Sequence, residues 1–386
     1  MRRRTFLAGS AAALAAPAPS VRKVEVFPVI YPVTGYFKFF PKPERPCVFV
    51  KVTCEDGTCG WGESVPTHTW SYETPESVAT AIRGYLGPAL VGRNPLDFAG
   101  AHAAMNRAIA ASFSTGMPIA KAGLDLALHD IAGKLAGKNL AELWGRTAGE
   151  RVTLSWTVNV KSIGEAETLM ADGRRLGYRH FNIKVAPDPA FDVELAKTVK
   201  RFAPEGFLWA DANGGYDEET ALRAAPRLRE AGVAVLEQPV PPNRLRALAA
   251  LKKQGALPVI LDEGVVSVVD LEEFDRLGLL DGVAMKPART AGLWDAERQV
   301  AYLERRKLWF LGSGLTDPDV SLAASLILYG AYGLRYPAAL NGLQFLAGSF
   351  LRKPFALVDG GLRAPAGPGL GVEVDEEKVR RAAYVV

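Results

Sequence analysis

"FNIKVAP", residues 181–187, is an apolar run that ends in one lysine, Lys184, just before Pro187 stops strand pairing. Downstream the same form returns in "WADANGGY" (209–216), "VLEQPV" (235–240), "ILDEGV" (260–265) and "VAMKPA" (283–288). Each places a charged residue where an apolar strand opens into a loop. Amphipathic helical segments lie between them, and candidate strands end near Val160, Lys184, Asp211, Glu237, Asp262, Lys286, Gly312 and Asn341. From Lys184 to Gly312 successive ends are 24 to 27 residues apart, the length of one β/α unit in a closed parallel barrel. An open doubly wound sheet is the rival, but no G-x-G-x-x-G turn opens one here. The spacing therefore predicts an α/β barrel over residues 149–344.

Upstream, the chain from Val21 to Glu63 alternates apolar and polar residues, and "VFVKVTCEDGTCGWGE" (48–63) reads as its clearest hairpin. From Pro75 to Trp144 the period turns helical; "IAKAGLDLALHDIAGKLAG" (119–137) stops at Gly137. Strands followed by helices predict an α+β domain over residues 21–148. A two-residue Asp56-Gly57 turn would set Cys54 opposite Cys59, where they can bridge in an oxidising compartment or stay as two small apolar residues. No Cys/His pair has zinc spacing.

The chain has 386 residues, 48% of them hydrophobic and 23% charged, with a net charge of +4 and no dense Lys/Arg block. That is an ordinary globular composition with nothing to hold nucleic acid. Residues 1–20 differ: Arg2, Arg3 and Arg4, Phe6-Leu7, an Ala-rich apolar run and Ala16-Pro17-Ala18-Pro19 resemble a twin-arginine export signal. The run is too short for a permanent span, which predicts an exported, periplasmic protein that does not act in a membrane.

In a barrel of this kind chemistry sits at the C-terminal strand ends. Asp211, Glu237 and Asp262 on successive ends would repel one another unless a cation lay among them, and oxygen-only ligands suit Mg²⁺. Lys184 and Lys286 flank that row. A lysine beside a divalent ion and a second cation loses affinity for its proton and becomes a base. The reaction class that follows is removal of the proton α to a carboxylate, with Mg²⁺ stabilising the enediolate. Such a pairing resembles the sites of the enolase superfamily, where a Lys or His base works beside Mg²⁺.

With "GWGES", "KAGLDLALHDIAGK", the Asp, Glu, Asp series, "DGVAMKPARTAGL" and "GPGLGVEVDE" together, the chain resembles the enolase superfamily in its muconate-lactonizing-enzyme-like subgroup. The resemblance implies a (β/α)7β modified TIM barrel with an N-terminal α+β capping domain, completed by about residues 345–386, and a closed symmetric homo-oligomer. It makes Lys184 and Lys286 the acid/base pair. Relatives usually carry Lys-x-Lys on the second strand, and here the first lysine is Asn182. That change predicts a Lys184 less acidic than usual and a pH optimum shifted upward. Asn213 and Glu263 match positions flanking the metal ligands. Mandelate-racemase-like relatives need a strand-seven histidine, and the last histidine here is His180. His68, His102 and His129 fall in the cap, where a structural role is expected, although His68 is placed to reach the site from a loop.

Two opposed lysines suit racemisation or epimerisation of a small-molecule carboxylate, an amino-acid derivative or dipeptide, which is the first reading. Muconate-type cycloisomerisation and hydroxy-acid dehydration use the same enolate, and a metal-dependent binding protein without catalysis is the remaining alternative. Selection among substrates falls to the cap loops "TGYFKFFPKPERP" (34–46) and "VPTHTWSYE" (65–73) and to strands seven and eight. The strand-eight Asp-x-Asp of related dipeptide epimerases is absent. Asn341 stands in that stretch, and Ser313 and Asp317 or Asp319 are the polar candidates near strand seven.

Overall fold

The computed structural model describes residues 18–111 and 114–386. Its alternating N-terminal segment forms an antiparallel meander, β1 (Val21–Pro32), β2 (Glu44–Cys54) and β3 (Cys59–Ser64), in that order. The meander packs on the helix Pro118–Ala136. Contact there is so close that a Cβ on Gly62 would lie 1.8 Å from the Gly123 carbonyl oxygen, so both positions need glycine. Most of the export-signal segment read in residues 1–20 lies outside the described residues. No helix among the described residues is long and apolar enough to cross a membrane.

The β2–β3 hairpin corrects the expected register and leaves Cys54 and Cys59 unbridged, the second of the two readings. Thr53, not Cys54, faces Cys59, and Cys54 N donates to Thr58 O at 2.8 Å. The turn holds three residues instead of two, with Gly57 at φ 87° supplying the left-handed step such a loop uses. A one-residue change of register turns a side chain to the other face. Cys54 is accordingly buried and Cys59 half-buried, and all three cysteines are free thiols.

After β4 (Arg151–Thr153) the chain builds a seven-stranded parallel sheet in chain order. Its strands are β5 (Ser155–Val158), β6 (His180–Lys184), β7 (Leu208–Asp211), β8 (Val235–Glu237), β9 (Val259–Leu261), β10 (Gly282–Met285) and β11 (Trp309–Gly312). Parallel bridges Leu154↔Ala338 and Ser313↔Ala339 join both edges through one segment, which closes the barrel. A further strand, β12 (Gly361–Arg363), pairs with β4. The C-terminal helix Glu376–Ala382 returns to the cap, where Lys51 pairs with Glu376 at 2.7 Å and Tyr384 N donates to Pro28 O.

The barrel's interior layer positions the site. Trp209, Val235, Ile260, Ala284, Leu311 and Ala339 form one buried apolar cluster. Strand side chains alternate with period two. The residues two positions on, Asp211, Glu237, Asp262, Lys286, Ser313 and Asn341, therefore point into the barrel one layer higher, toward the cap.

Candidate active site

Asn182 and Lys184 occupy alternate positions of β6. Asn182 Oδ1 accepts from Ser155 Oγ at 3.2 Å and Thr157 Oγ1 at 3.0 Å, and Asn341 Nδ2 donates to the same Thr157 hydroxyl at 3.2 Å. The position that carries lysine in relatives is thus tied into a neutral polar cluster between β5 and the closing segment. Lys184, one pleat higher, pairs with Asp211 Oδ2 at 2.5 Å.

The other side of the barrel holds the second lysine. Lys286 Nζ lies 2.5 Å from Asp262 Oδ2 and 3.4 Å from Glu237 Oε1, and Arg289 pairs with the other Asp262 oxygen. Gln238, buried at the end of β8, accepts from Asp262 N at 3.0 Å and Gly264 N at 3.2 Å, fixing the loop that carries Asp262 and Glu263. Asn213 adopts φ 46° and spans the two halves, donating to Asp211 Oδ2 at 3.0 Å and Glu263 Oε1 at 3.2 Å.

Asp211, Glu237 and Asp262, expected as the metal ligands, stand at adjacent strand ends. Among the described residues no three His, Cys, Asp or Glu side chains are gathered as a ligand set; Lys184 pairs with Asp211, while Lys286 reaches both Glu237 and Asp262 and shares Asp262 with Arg289. The residues nonetheless fit a hard cation. Every donor is oxygen, and buried Asn213 Oδ1 and Glu263 Oε2 have no hydrogen-bond partner, a cost that a bound ion would relieve.

Burial opposes ionisation of Glu237, Glu263, Asp262 and Lys184. It lifts Glu237 well above the usual carboxylate range, with Asp211 adding to the effect, and it raises Glu263 with help from Asp262. Asp262 goes the other way: burial works against it, but Arg289 and Lys286 hold it at about 2. For Lys184, burial pulls the ammonium down, and Asp211 and Glu237 outweigh it, leaving the group above its ordinary value.

Two residues beside the site were not singled out in the sequence, although Trp70 lies in the quoted "VPTHTWSYE". Arg289 is buried beside Asp262, although it lies inside the quoted "KPART". Trp70, from the short cap helix His68–Ser71, donates its indole N–H to Glu263 Oε1 at 2.7 Å. Its ring sits 5.6, 5.4 and 5.4 Å from the charged groups of Lys184, Lys286 and Arg289. His68, two residues earlier, is exposed. The other cap histidines are structural: His102 Nε2 and His129 Nδ1 lie 2.8 and 3.1 Å from the buried Asp125 carboxylate, whose Oδ2 also accepts from Leu293 N.

Asp317 is buried and bonded to its own loop and the following helix. It accepts from Leu315 N at 3.0 Å and Ser325 Oγ at 3.3 Å, because the loop after β11 needs its turn closed. Asp319 is bound to Tyr31, Ser349 and Phe350. Ser313 remains at the barrel mouth, its backbone N donating to Met285 O at 2.9 Å.

Residues 28–145 match the mandelate racemase/muconate lactonizing enzyme N-terminal domain, and residues 165–378 match the enolase C-terminal domain-like family. The chain belongs to the enolase superfamily. Within it, this member of the muconate-lactonizing-enzyme-like subgroup is 32% identical to chloromuconate cycloisomerase CbnB of Cupriavidus necator, over 86% of this chain and 90% of that one. It is 30% identical to muconate cycloisomerase 1 of Rhodococcus opacus, over 87% and 90%. The solved 2-chloromuconate cycloisomerase from Rhodococcus opacus 1CP superposes with a TM-score of 0.85 at 27% identity, covering 95% of this chain and 99% of that one. This enolase-superfamily chain is an enzyme of the isomerase class, in a metal-dependent family. The similarity runs to cycloisomerases, which favours that alternative over the racemase or epimerase placed first on sequence grounds.

Proposed function

We propose that the enzyme is a cycloisomerase, joining a substrate carboxylate to a carbon–carbon double bond conjugated with a second carboxyl group. The observation that carries this reading is the inequivalence of the two lysines. Lys286 is only 2% exposed and lies between Glu237 and Asp262, whereas Lys184 has one close carboxylate, Asp211, and stands under the cap loop beside Phe37 and Trp70. Lactone formation moves one proton on one face, so it needs one mobile acid. As the substrate oxygen forms its bond, the alkene electron pair shifts to the carbon α to the other carboxyl group. Lys184 delivers a proton there and returns as the neutral amine, so the dianion plus one proton becomes the lactone monoanion.

Asp211, Glu237 and Asp262, with Asn213 and Glu263 beside them, are the residues that would hold Mg²⁺. The ion, when bound, supplies positive charge to the carboxylate whose α-carbon becomes electron-rich. Lys286 and Arg289 keep Asp262 ionised and contribute fixed positive charge opposite Lys184.

Racemisation is the second reading, favoured by one feature: both ammonium groups flank the same Trp70 ring. Proton NMR in D2O with Mg²⁺ separates the two. Muconate or chloromuconate should give a lactone deuterated at the carbon α to its free carboxylate, abolished in Lys184→Ala and weakened less in Lys286→Ala. Exchange of an α-proton in dipeptides or N-acyl amino acids, lost equally in both variants and without lactone formation, would replace this proposal with the racemase. Export through the segment read in residues 1–20 belongs to the same proposal, and fractionation of expressing cells tests it.

A further inference from the structure

The cap loop after β1 brings a fourth cation to the barrel mouth. Its backbone is fixed from several sides. Thr34 N donates to Phe345 O at 2.7 Å, Phe37 stacks on Phe345 with centroids 4.7 Å apart, and Lys38 N donates to Asn159 Oδ1 at 3.0 Å. Phe39 lies flat on Trp70, 4.5 Å away with the planes 4° apart, and Thr69 Oγ1 donates to Phe39 O at 2.7 Å. The Lys38 backbone is therefore held at the rim, and its ammonium lies 5.0 Å from the centroid of the Phe39 ring that rests on Trp70.

Its charge is unmatched. Lys184, Lys286 and Arg289 each have a carboxylate oxygen within ion-pair distance, while among the described residues no Asp or Glu comes within 4.0 Å of Lys38. Burial, and then the like charge of Lys184, bring Lys38 down to about 8. Asp211, Glu263 and Asp192 face it from the barrel and pull the other way without reaching it. A half-buried ammonium beside a second cation is stabilised by an anion placed between them.

We propose that Lys38 is a substrate-binding residue that receives the second carboxylate of a dianionic substrate, opposite the end held by the metal-ligand cluster. The charge count supports it. Asp211, Glu237, Asp262, Glu263 and Asp192 face Lys184, Lys286, Arg289 and Lys38, so a divalent ion would leave the mouth net positive, and Lys38 is the one of these four cations with no acid at ion-pair distance, open to a second carboxylate. The inference rests on the proposed reading of this site and deepens it: Lys38 holds the carboxylate that attacks, with Phe37 and Phe39 covering the chain between the two ends.

The test uses adipate and hexanoate, equal in chain length and unreactive, titrated into the protein with Mg²⁺ by calorimetry near pH 7. The wild type should bind adipate roughly tenfold or more tightly than hexanoate, the scale of one charge-assisted contact. Lys38→Met should lose that preference while leaving hexanoate affinity and the thermal midpoint unchanged, and Lys38→Arg should retain it. The preference should also fade as pH rises past about 8 in the wild type but not in Lys38→Arg. An absent preference in the wild type, or a Lys38→Met variant that keeps it or weakens both acids equally, overturns the proposal. A Lys38-dependent preference without lactone formation from muconate would leave Lys38's role standing and refute the cycloisomerase. Lactone formation indifferent to Lys38 would do the reverse.

Discussion

Replacing Glu63 with glutamine should flatten the protein's loss of stability between mildly acid and mildly alkaline pH. Glu63 is the acid of "GWGES", fully buried where the cap meets the barrel. Its Oε2 accepts from Val320 N at 3.0 Å and Ser321 N at 3.1 Å, at the start of the helix Asp319–Ala331. The Tyr31 hydroxyl lies between Glu63 Oε1 at 3.0 Å and Asp319 Oδ2 at 2.8 Å. One hydroxyl carries one hydrogen, so satisfying both acids requires a proton on one of them. Burial, then the charge of Asp319, push Glu63 up to about 8 from 4.5. Because the folded protein holds this proton more tightly than the unfolded chain, the contribution is fully present below pH 4.5 and is lost as pH rises to about 8. At about 1.4 kcal/mol per pKa unit, that loss amounts to at most roughly 5 kcal/mol. Glutamine keeps an acceptor for the helix amides and offers Tyr31 an N–H at every pH. Urea midpoints measured from pH 5 to 8.5 on both proteins should show the Glu63→Gln variant gaining steadily on the wild type. A stability difference that stays flat with pH, or turns against the variant at pH 8, would refute the shared-proton reasoning.

Lys184→Ala should lower turnover by about 10²–10⁴, the range for a lost acid/base group, with the thermal midpoint retained. Chelation should abolish activity and added Mg²⁺ restore it, as followed by lactone formation. Asp125→Asn strands His102 and His129, so it should cost roughly 3–5 kcal/mol in denaturant unfolding. Burial opposes the Asp125 charge, but His129 and His102 hold its carboxyl well below the usual range. Its contribution is thus present above the ordinary aspartate value and lost as pH falls below it, and the gap between wild type and variant should narrow in acid. Thiol titration of the unfolded protein should count three free cysteines; a Cys54–Cys59 bridge would contradict the Thr53↔Cys59 register.

What the sequence determined by itself was periodic or local. Apolar strands recurring at the length of a β/α unit specified a barrel, and the residue ending each strand had to face its mouth, because alternation by two repeats along every strand. Lys184, Asp211, Glu237, Asp262 and Lys286 were legible for that reason. Tertiary structure decided what depends on contacts between distant segments. Trp70 and Lys38 belong to cap loops whose reach is set by how the cap sits on the barrel, through Glu263 and Asn159, residues 193 and 121 positions away. Asp317 and Asp319 were only polar candidates in the sequence, and it is the assembled structure that ties Asp317 to Leu315 and Ser325. The cysteine register turned on a single residue of turn length, a difference of backbone conformation at Gly57 that the Asp-Gly pair alone does not specify. Pairing among the site's cations and acids is likewise a property of the assembled mouth, where low polarity makes each charge depend on its neighbours.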